Sequence, residues 1–205
     1  MPIVDLSHAI VDGMAQYPGD TPAPRVRRLM GFADGGHQVS ALDFSCHVGT
    51  HIDTPLHFRA GQPGLEAMPL ERFRGRGCVV DACQGIIPAD ALAGLDLAPV
   101  DYLILRTGWE RHWGTPQYYR DWPTISCDLA RLLALAGLKG VGLDSPSCDP
   151  LNGRNCHDLL AAAGLVNVEN LANLGALPAG LFEFMALPLK LAGAEASPVR
   201  AIAVF

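Results

Sequence analysis

Between Cys46 and Phe58 the chain reads Cys-His-Val-Gly-Thr-His-Ile-Asp-Thr-Pro-Leu-His-Phe, a run that admits few backbones. His47, His51, Asp53 and His57 all fall at odd positions. The whole chain has seven histidines, so three in this run form a concentration rather than scatter. Strict alternation would place all four side chains on one face of a strand. A helix is opposed by Gly49, Pro55 and the β-branched Thr50, Ile52 and Thr54. Full extension, however, separates positions four apart by roughly 13 Å, too far to share one cation comfortably. The run therefore predicts a strand that bends at Gly49 and stops at Pro55, leaving His57 on a turn. Imidazole and carboxylate together suit a borderline divalent metal such as zinc or manganese.

The rest of the chain narrows the class. Its 205 residues, 49% hydrophobic and 18% charged, are expected to form one domain over 1–205 with a full core. A formal charge of −6 argues against nucleic acid and against an anionic membrane surface. No apolar run approaches membrane-spanning length, and the N-terminus lacks the basic and apolar regions of a signal peptide. The six cysteines include no Cys-x-x-Cys pair, so reduced, mostly buried thiols in a cytoplasmic protein are expected.

Strand patterns fall at Ile3–Ser7, Arg25–Phe32, Val39–Cys46, Gly77–Ala82, Tyr102–Arg106, Gly140–Leu143, Leu181–Ala186 and Val199–Val204. Ser126 can cap a helix through Leu129, Leu132, Leu133 and Ala136 that stops at Gly137. A second helix starts near Asn155 and runs to Gly164. Strands outnumber helices and do not alternate regularly with them, which favours an α+β arrangement over a doubly wound sheet.

A two-metal centre needs more ligands than the run at 47–57 supplies, and His157 and Glu169 are the candidates. A two-turn helix from His157 and a return strand over Leu165–Val168 would bring Glu169 back towards His157. Many helix–strand units close equally well, and a buried or surface glutamate is an equal reading of Glu169. His8, His37 and His112 read as structural or surface residues. Cys46 and Cys156 adjoin proposed ligands and read as packing residues. Ser147 reads as shaping the loop after Leu143, Asp144 and Asp149 as turn formers, and Arg106 as a structural ion pair. No Gly-x-Ser-x-Gly elbow supports serine chemistry.

With these residues in view, the chain resembles the cyclase-like metal-dependent hydrolase superfamily, which includes bacterial kynurenine formamidases and isatin hydrolases. Its signature, His-x-Gly-Thr-His-x-Asp-x-Pro-x-His, stands complete from His47 to His57. Four weaker landmarks follow the family order: Asp5–His8, Tyr17–Asp20, Arg106–Trp109 and Leu143–Ser147. The resemblance implies a swivelling β/β/α fold and a pair of divalent metals, zinc or alternatively manganese. It implies that His47, His51 and Asp53 bind the first metal. It further implies that Asp53 also touches a second, that His157 completes the second, and that Glu169 bridges both. His57 matches the family's proton donor and acceptor. Tyr17 stands where formamidases often carry a tryptophan against an aromatic substrate, a departure that leaves the substrate open. The implied activity is hydrolysis of a small aromatic amide, an arylformamide first and a cyclic amide or lactone second, by a homodimer or larger assembly. A non-catalytic metal or ligand binding module is the reading from another class. An extra histidine beyond the ligand set argues against it.

Overall fold

The computed structural model describes residues 1–19, 21–82 and 85–205. Asp20, in the second landmark, and Cys83 lie outside them. The strands are β1 (Ile3–Asp5), β2 (Arg25–Met30), β3 (Val39–Asp43), β4 (His51–Asp53), β5 (Arg74–Asp81), β6 (Ile86–Ile87), β7 (Tyr102–Arg106), β8 (Thr124–Ile125), β9 (Gly140–Leu143), β10 (Val166–Glu169), β11 (Phe182–Met185), β12 (Ala196–Pro198) and β13 (Ile202–Val204). The helices are α1 (Phe32–Gly35, one turn), α2 (Cys127–Leu135) and α3 (Asn155–Ala162).

Nine strands form one mixed sheet in the order β1-β13-β11-β5-β7-β9-β10-β4-β12. The middle four, β5, β7, β9 and β10, are parallel. Antiparallel strands flank them on both sides. This is the strand-rich, mixed architecture that the sequence pattern favours, with two wound βαβ units, β7-α2-β9 and β9-α3-β10, inside it.

Period-two alternation divides the sheet's two faces. Leu103, Leu105, Val141 and Leu143 pack with Leu129 and Leu133 of α2 and Leu160 of α3. Tyr102, Ile104, Ile52, Val166 and Val168 join a second core on the opposite face with Leu6, Phe73 and Phe184. Because Ile52 and Val168 point into that second core, their neighbours His51, Asp53 and Glu169 point to the helix-bearing face.

α2 and α3 begin and end as the sequence predicts. Ser126 Oγ accepts from Leu129 N at 3.1 Å, and Gly137 and Gly164 adopt φ of 75° and 77° just past the helix ends. The strand expected over Val39–Cys46 stops at Asp43, and that over Val199–Val204 shortens to Ile202–Val204. In compensation Ala196–Pro198 pairs with β4, an edge strand that its sequence does not advertise.

Candidate metal centre and active site

The histidine run departs from a bent strand in one respect. Residues 46–47 form a turn, the chain bends over 48–50 as expected at Gly49, which adopts φ +61°, and the strand begins only at His51. Turn and bend together shorten the 47–51 step, and the two imidazole centroids lie 5.1 Å apart. A 3-10 turn over Pro55–His57 then swings His57 back, its ring centroid 4.3 Å from that of His47.

Strand register brings in the distant partner. β4 runs antiparallel to β10 with His51 opposite Glu169, at the carboxyl end of the parallel strands where open sheets place their ligands. His51 Nε2 lies 3.6 Å from Glu169 Oε2 and 3.5 Å from Asp53 Oδ1. α3 and β10 close as the loop geometry suggests, placing His157 Nε2 3.1 Å from Glu169 Oε1. His47 Nδ1 faces Asp53 Oδ1 at 3.0 Å. All five proposed ligands thus meet, and His51, Asp53, His157 and Glu169 are buried.

Three ring nitrogens are held from behind. His51 Nδ1 lies 3.0 Å from the Gly49 carbonyl, His157 Nδ1 2.8 Å from Asp149 Oδ2, and His47 Nε2 3.1 Å from Glu195 Oε1. A carbonyl or carboxylate only accepts, so each contact places a proton on the outer nitrogen and turns the inner one to the carboxylates. Asn170, at φ +56° just after β10, joins the halves: its Nδ2 donates to Gly49 O at 2.8 Å and its Oδ1 accepts from Tyr118 Oη at 2.8 Å.

The donor set fits a divalent cation. Asp53 Oδ1 is buried and accepts no hydrogen bond from the described residues, although two imidazole nitrogens lie close. Such an orphan carboxylate oxygen is costly unless a cation takes its lone pair. His47, Asp53 and His57 offer atoms within 4.8 Å of one another, and so do His51, Asp53 and Glu169. The electrostatics agree. Burial opposes charge on both Asp53 and His47. Even so, the surrounding histidines hold Asp53 well below the carboxylate range, and Asp53, Glu169 and Glu195 push His47 up to about 9. Burial and the nearby Asp53 raise Glu169, against the hydrogen bond from His157.

His57 differs from the others. Its ring faces the cavity, where partial desolvation lowers its pKa; Asp53 opposes this, while His47, His157 and His51 add to it. It is therefore largely neutral near pH 7 and able to accept a proton. Phe58 stacks on His157 at 4.1 Å and meets His57 edge-on at 4.3 Å.

The cavity over these groups holds about 260 Å³ and is walled by Tyr17, Phe58, Tyr119, Ser147 and Asn152. Tyr17 lines it as expected; its Oη accepts from Asn152 N at 3.1 Å and its ring meets Trp122 edge-on. Arg106 lies elsewhere, paired with Asp81 at 2.6 Å. His8 stacks on Trp113 at 3.9 Å. Cys156 donates to Ile125 O, and the thiol within ligand distance of His157 is instead Cys148.

Two aspartates read as turn formers have larger roles. Asp144, fully buried, accepts from Thr107 N, Thr107 Oγ1 and Trp109 N, binding two of the sequence landmarks into one unit. Asp149 orients His157. Sequence reasoning also misses Glu195 and Asn170. Two weak signals were available: an aspartate shortly before a helix that carries a ligand, and an asparagine directly after a strand that ends in one.

A buried histidine–carboxylate cluster at the carboxyl end of a mixed sheet, with an unbonded carboxylate oxygen, defines a metal-dependent hydrolase type of site. Comparison with known proteins agrees. The Cyclase family model, described as "Putative cyclase", matches residues 4–150, and the chain belongs to that family. A kynurenine formamidase from Salinibacter ruber (strain DSM 13855 / M31) is 33% identical over 98% of this chain and 97% of its own length. Isatin hydrolase A from Labrenzia aggregata, bound to benzyl benzoate, superposes with a TM-score of 0.87 at 25% identity, covering 98% of this chain and 93% of its own. A predicted metal-dependent hydrolase from Bacillus stearothermophilus gives 0.83 at 29% identity, covering 98% and 97%.

Proposed function

We propose that this chain, acting as one domain over residues 1–205, hydrolyses a small aromatic amide, with an arylformamide such as N-formylkynurenine as its substrate. The observation that carries the reading is a proton-accepting histidine, His57, set beside five converging donors that suit divalent metal: His47, His51, Asp53, His157 and Glu169. Two zinc ions, or manganese in their place, fit this nitrogen and oxygen set. When bound, the metal supplies positive charge that polarises a carbonyl and acidifies water.

The residues do the rest. Asp53 and Glu169 bring two negative charges between the histidines, as holding two cations together requires. Neutral His57 takes the proton released as water attacks the formyl carbon. The same imidazolium then delivers it to the aniline-type nitrogen as the carbon–nitrogen bond breaks. Tyr17, Phe58 and Tyr119 give the substrate ring aromatic surfaces to lie against.

Exposed Leu29, Phe32 and Leu42 on the β2–β3 hairpin support a homodimer. The five described cysteines are free thiols, which supports a reducing, cytoplasmic setting. No helix among the described residues is long and apolar enough to cross a membrane.

The test is metal analysis of purified protein together with a panel of N-formyl anilines and isatin-like lactams. Rapid release of formate with bound metal is expected. Preferential lactam opening would move the assignment to a cyclic-amide hydrolase. Full metal loading without turnover of any amide or lactone would leave only a binding module.

A further inference from the structure

We infer that Asp149 is the buried positioning residue of this centre: it holds His157 in the tautomer that presents Nε2 to a cation. The matching partner of His47, Glu195, acts from the cavity rim and is replaceable by water. The inference rests on the reading of the site as a metal centre.

Every polar atom of Asp149 is engaged. Its amide donates to Ser147 Oγ at 3.1 Å and its carbonyl accepts from Trp122 Nε1 at 2.9 Å. Carboxylate Oδ1 accepts from Cys156 N at 3.0 Å, and Oδ2 accepts from His157 N at 2.9 Å and from His157 Nδ1 at 2.8 Å. One carboxylate therefore caps the first turn of α3 and receives the ring proton of a residue in that turn. Two backbone amides pin its oxygens, so it cannot rotate to offer the ring anything but a lone pair. With a cation on Nε2, the nitrogen that faces Glu169 at 3.1 Å, the ring proton must then sit on Nδ1. Cys148, Asp149 and His157 could by distance alone hold a cation of their own. The amide hydrogens already on both Asp149 oxygens favour orientation instead.

Glu195 makes the same kind of contact with His47 at 3.1 Å, but its side chain is 37% exposed against 4% for Asp149. Solvent water is at hand to replace a partner at the rim, whereas the Asp149 carboxylate has almost no contact with solvent.

Asparagine at 149 has a single acceptor oxygen, so its NH2 opposes either the Cys156 amide or the donors of His157. In either orientation the charged acceptor that holds the Nδ1 proton is lost, and with it the firm hold on the ring. The experiment titrates each purified full-length protein with zinc against a chromophoric chelator. Asp149→Asn is expected to weaken zinc binding by about 10–100-fold, the usual cost of losing such a partner. Glu195→Gln should stay close to the parent. In the zinc-loaded parent, 15N-resolved NMR should find the His157 proton on Nδ1 in slow exchange with water. The inference fails if Asp149→Asn binds zinc as the parent does, if Glu195→Gln weakens binding as much, or if the parent carries that proton on Nε2. Should Asp149→Asn not fold, the parent spectrum decides alone. A parent that takes up no zinc overturns both this inference and the metal-centre reading. A parent that binds zinc as described but hydrolyses nothing overturns only the proposed function.

Discussion

The two halves of the site are built in opposite ways. Residues 46–58 place His47, His51, Asp53 and His57 within one turn, one three-residue strand and one 3-10 turn. All three of its imidazoles line the cavity, with 20% of the His47 side chain accessible. Residues 149–170 instead hold the helix and second strand of the β9-α3-β10 unit, and the side chains of His157 and Glu169 are only 4% and 6% exposed. The open half carries the group that must exchange protons with substrate and solvent. The closed half carries groups that need only stay still, and its rigidity comes from α3, β9 and the Asp149 carboxylate. A divided site of this kind can move a proton at one end without loosening the ligands at the other.

The comparison can be broken at four further points. Asp53→Ala acts on both halves at once, since Asp53 faces His47, His51 and, through register, the β10 side. It should lose bound metal and reduce turnover by about 10³-fold or more. Metal content measured beside kcat checks this, and a variant that kept both would show the halves do not share Asp53.

His57→Ala acts on the open half alone. It should keep metal while kcat falls by about 10²–10⁴-fold. The parent's kcat/KM should decline on the acid side as His57 gains its proton. Because the cavity lowers this pKa, that decline should centre below 6.5, and the limb should vanish in the variant. An unchanged acid limb in His57→Ala would assign the proton transfer elsewhere.

Tyr17→Phe removes the hydroxyl that receives Asn152 N at the cavity wall. One net hydrogen bond is worth about 1 kcal/mol of stability, and the loosened wall should raise KM with kcat nearly constant. A larger fall in kcat than rise in KM would give Tyr17 a part in the chemistry. Ser126→Ala serves as the remote control. Loss of the α2 cap should cost about 1 kcal/mol and about 2–4 °C in Tm, leaving metal affinity and turnover at parental values. Altered metal affinity in this variant would mean that α2 stability reaches the centre.

The open half was legible because its groups are neighbours in the chain. Spacing alone told that four side chains must gather, that Gly49 must depart from extension and that Pro55 must end the strand. The detail that differed, a turn over 46–47 ahead of the bend so that the strand begins only at His51, reflects how far the chain must contract to bring His47 beside His51. His157 and Glu169 were legible only as candidates. A helix with a clear stop at Gly164 followed by a short apolar strand fixes a return path, but nothing local says that the path ends beside His51. That follows from the β4–β10 register, which pairs Glu169 with His51 across 118 residues (169 − 51).

The chain by itself determined the chemistry available: imidazole and carboxylate concentrated in one run, a mixed strand-rich fold, and two helices with defined ends. Only the tertiary structure decided which nitrogen of each histidine turns inward. Those choices follow from contacts with Gly49 O, with Asp149 and, at the rim where water can stand in, with Glu195, a contact that joins residues 148 apart. Hydrogen-bond partners of that kind leave no periodicity or spacing in a sequence, because they are set by the packing of segments and not by their local composition.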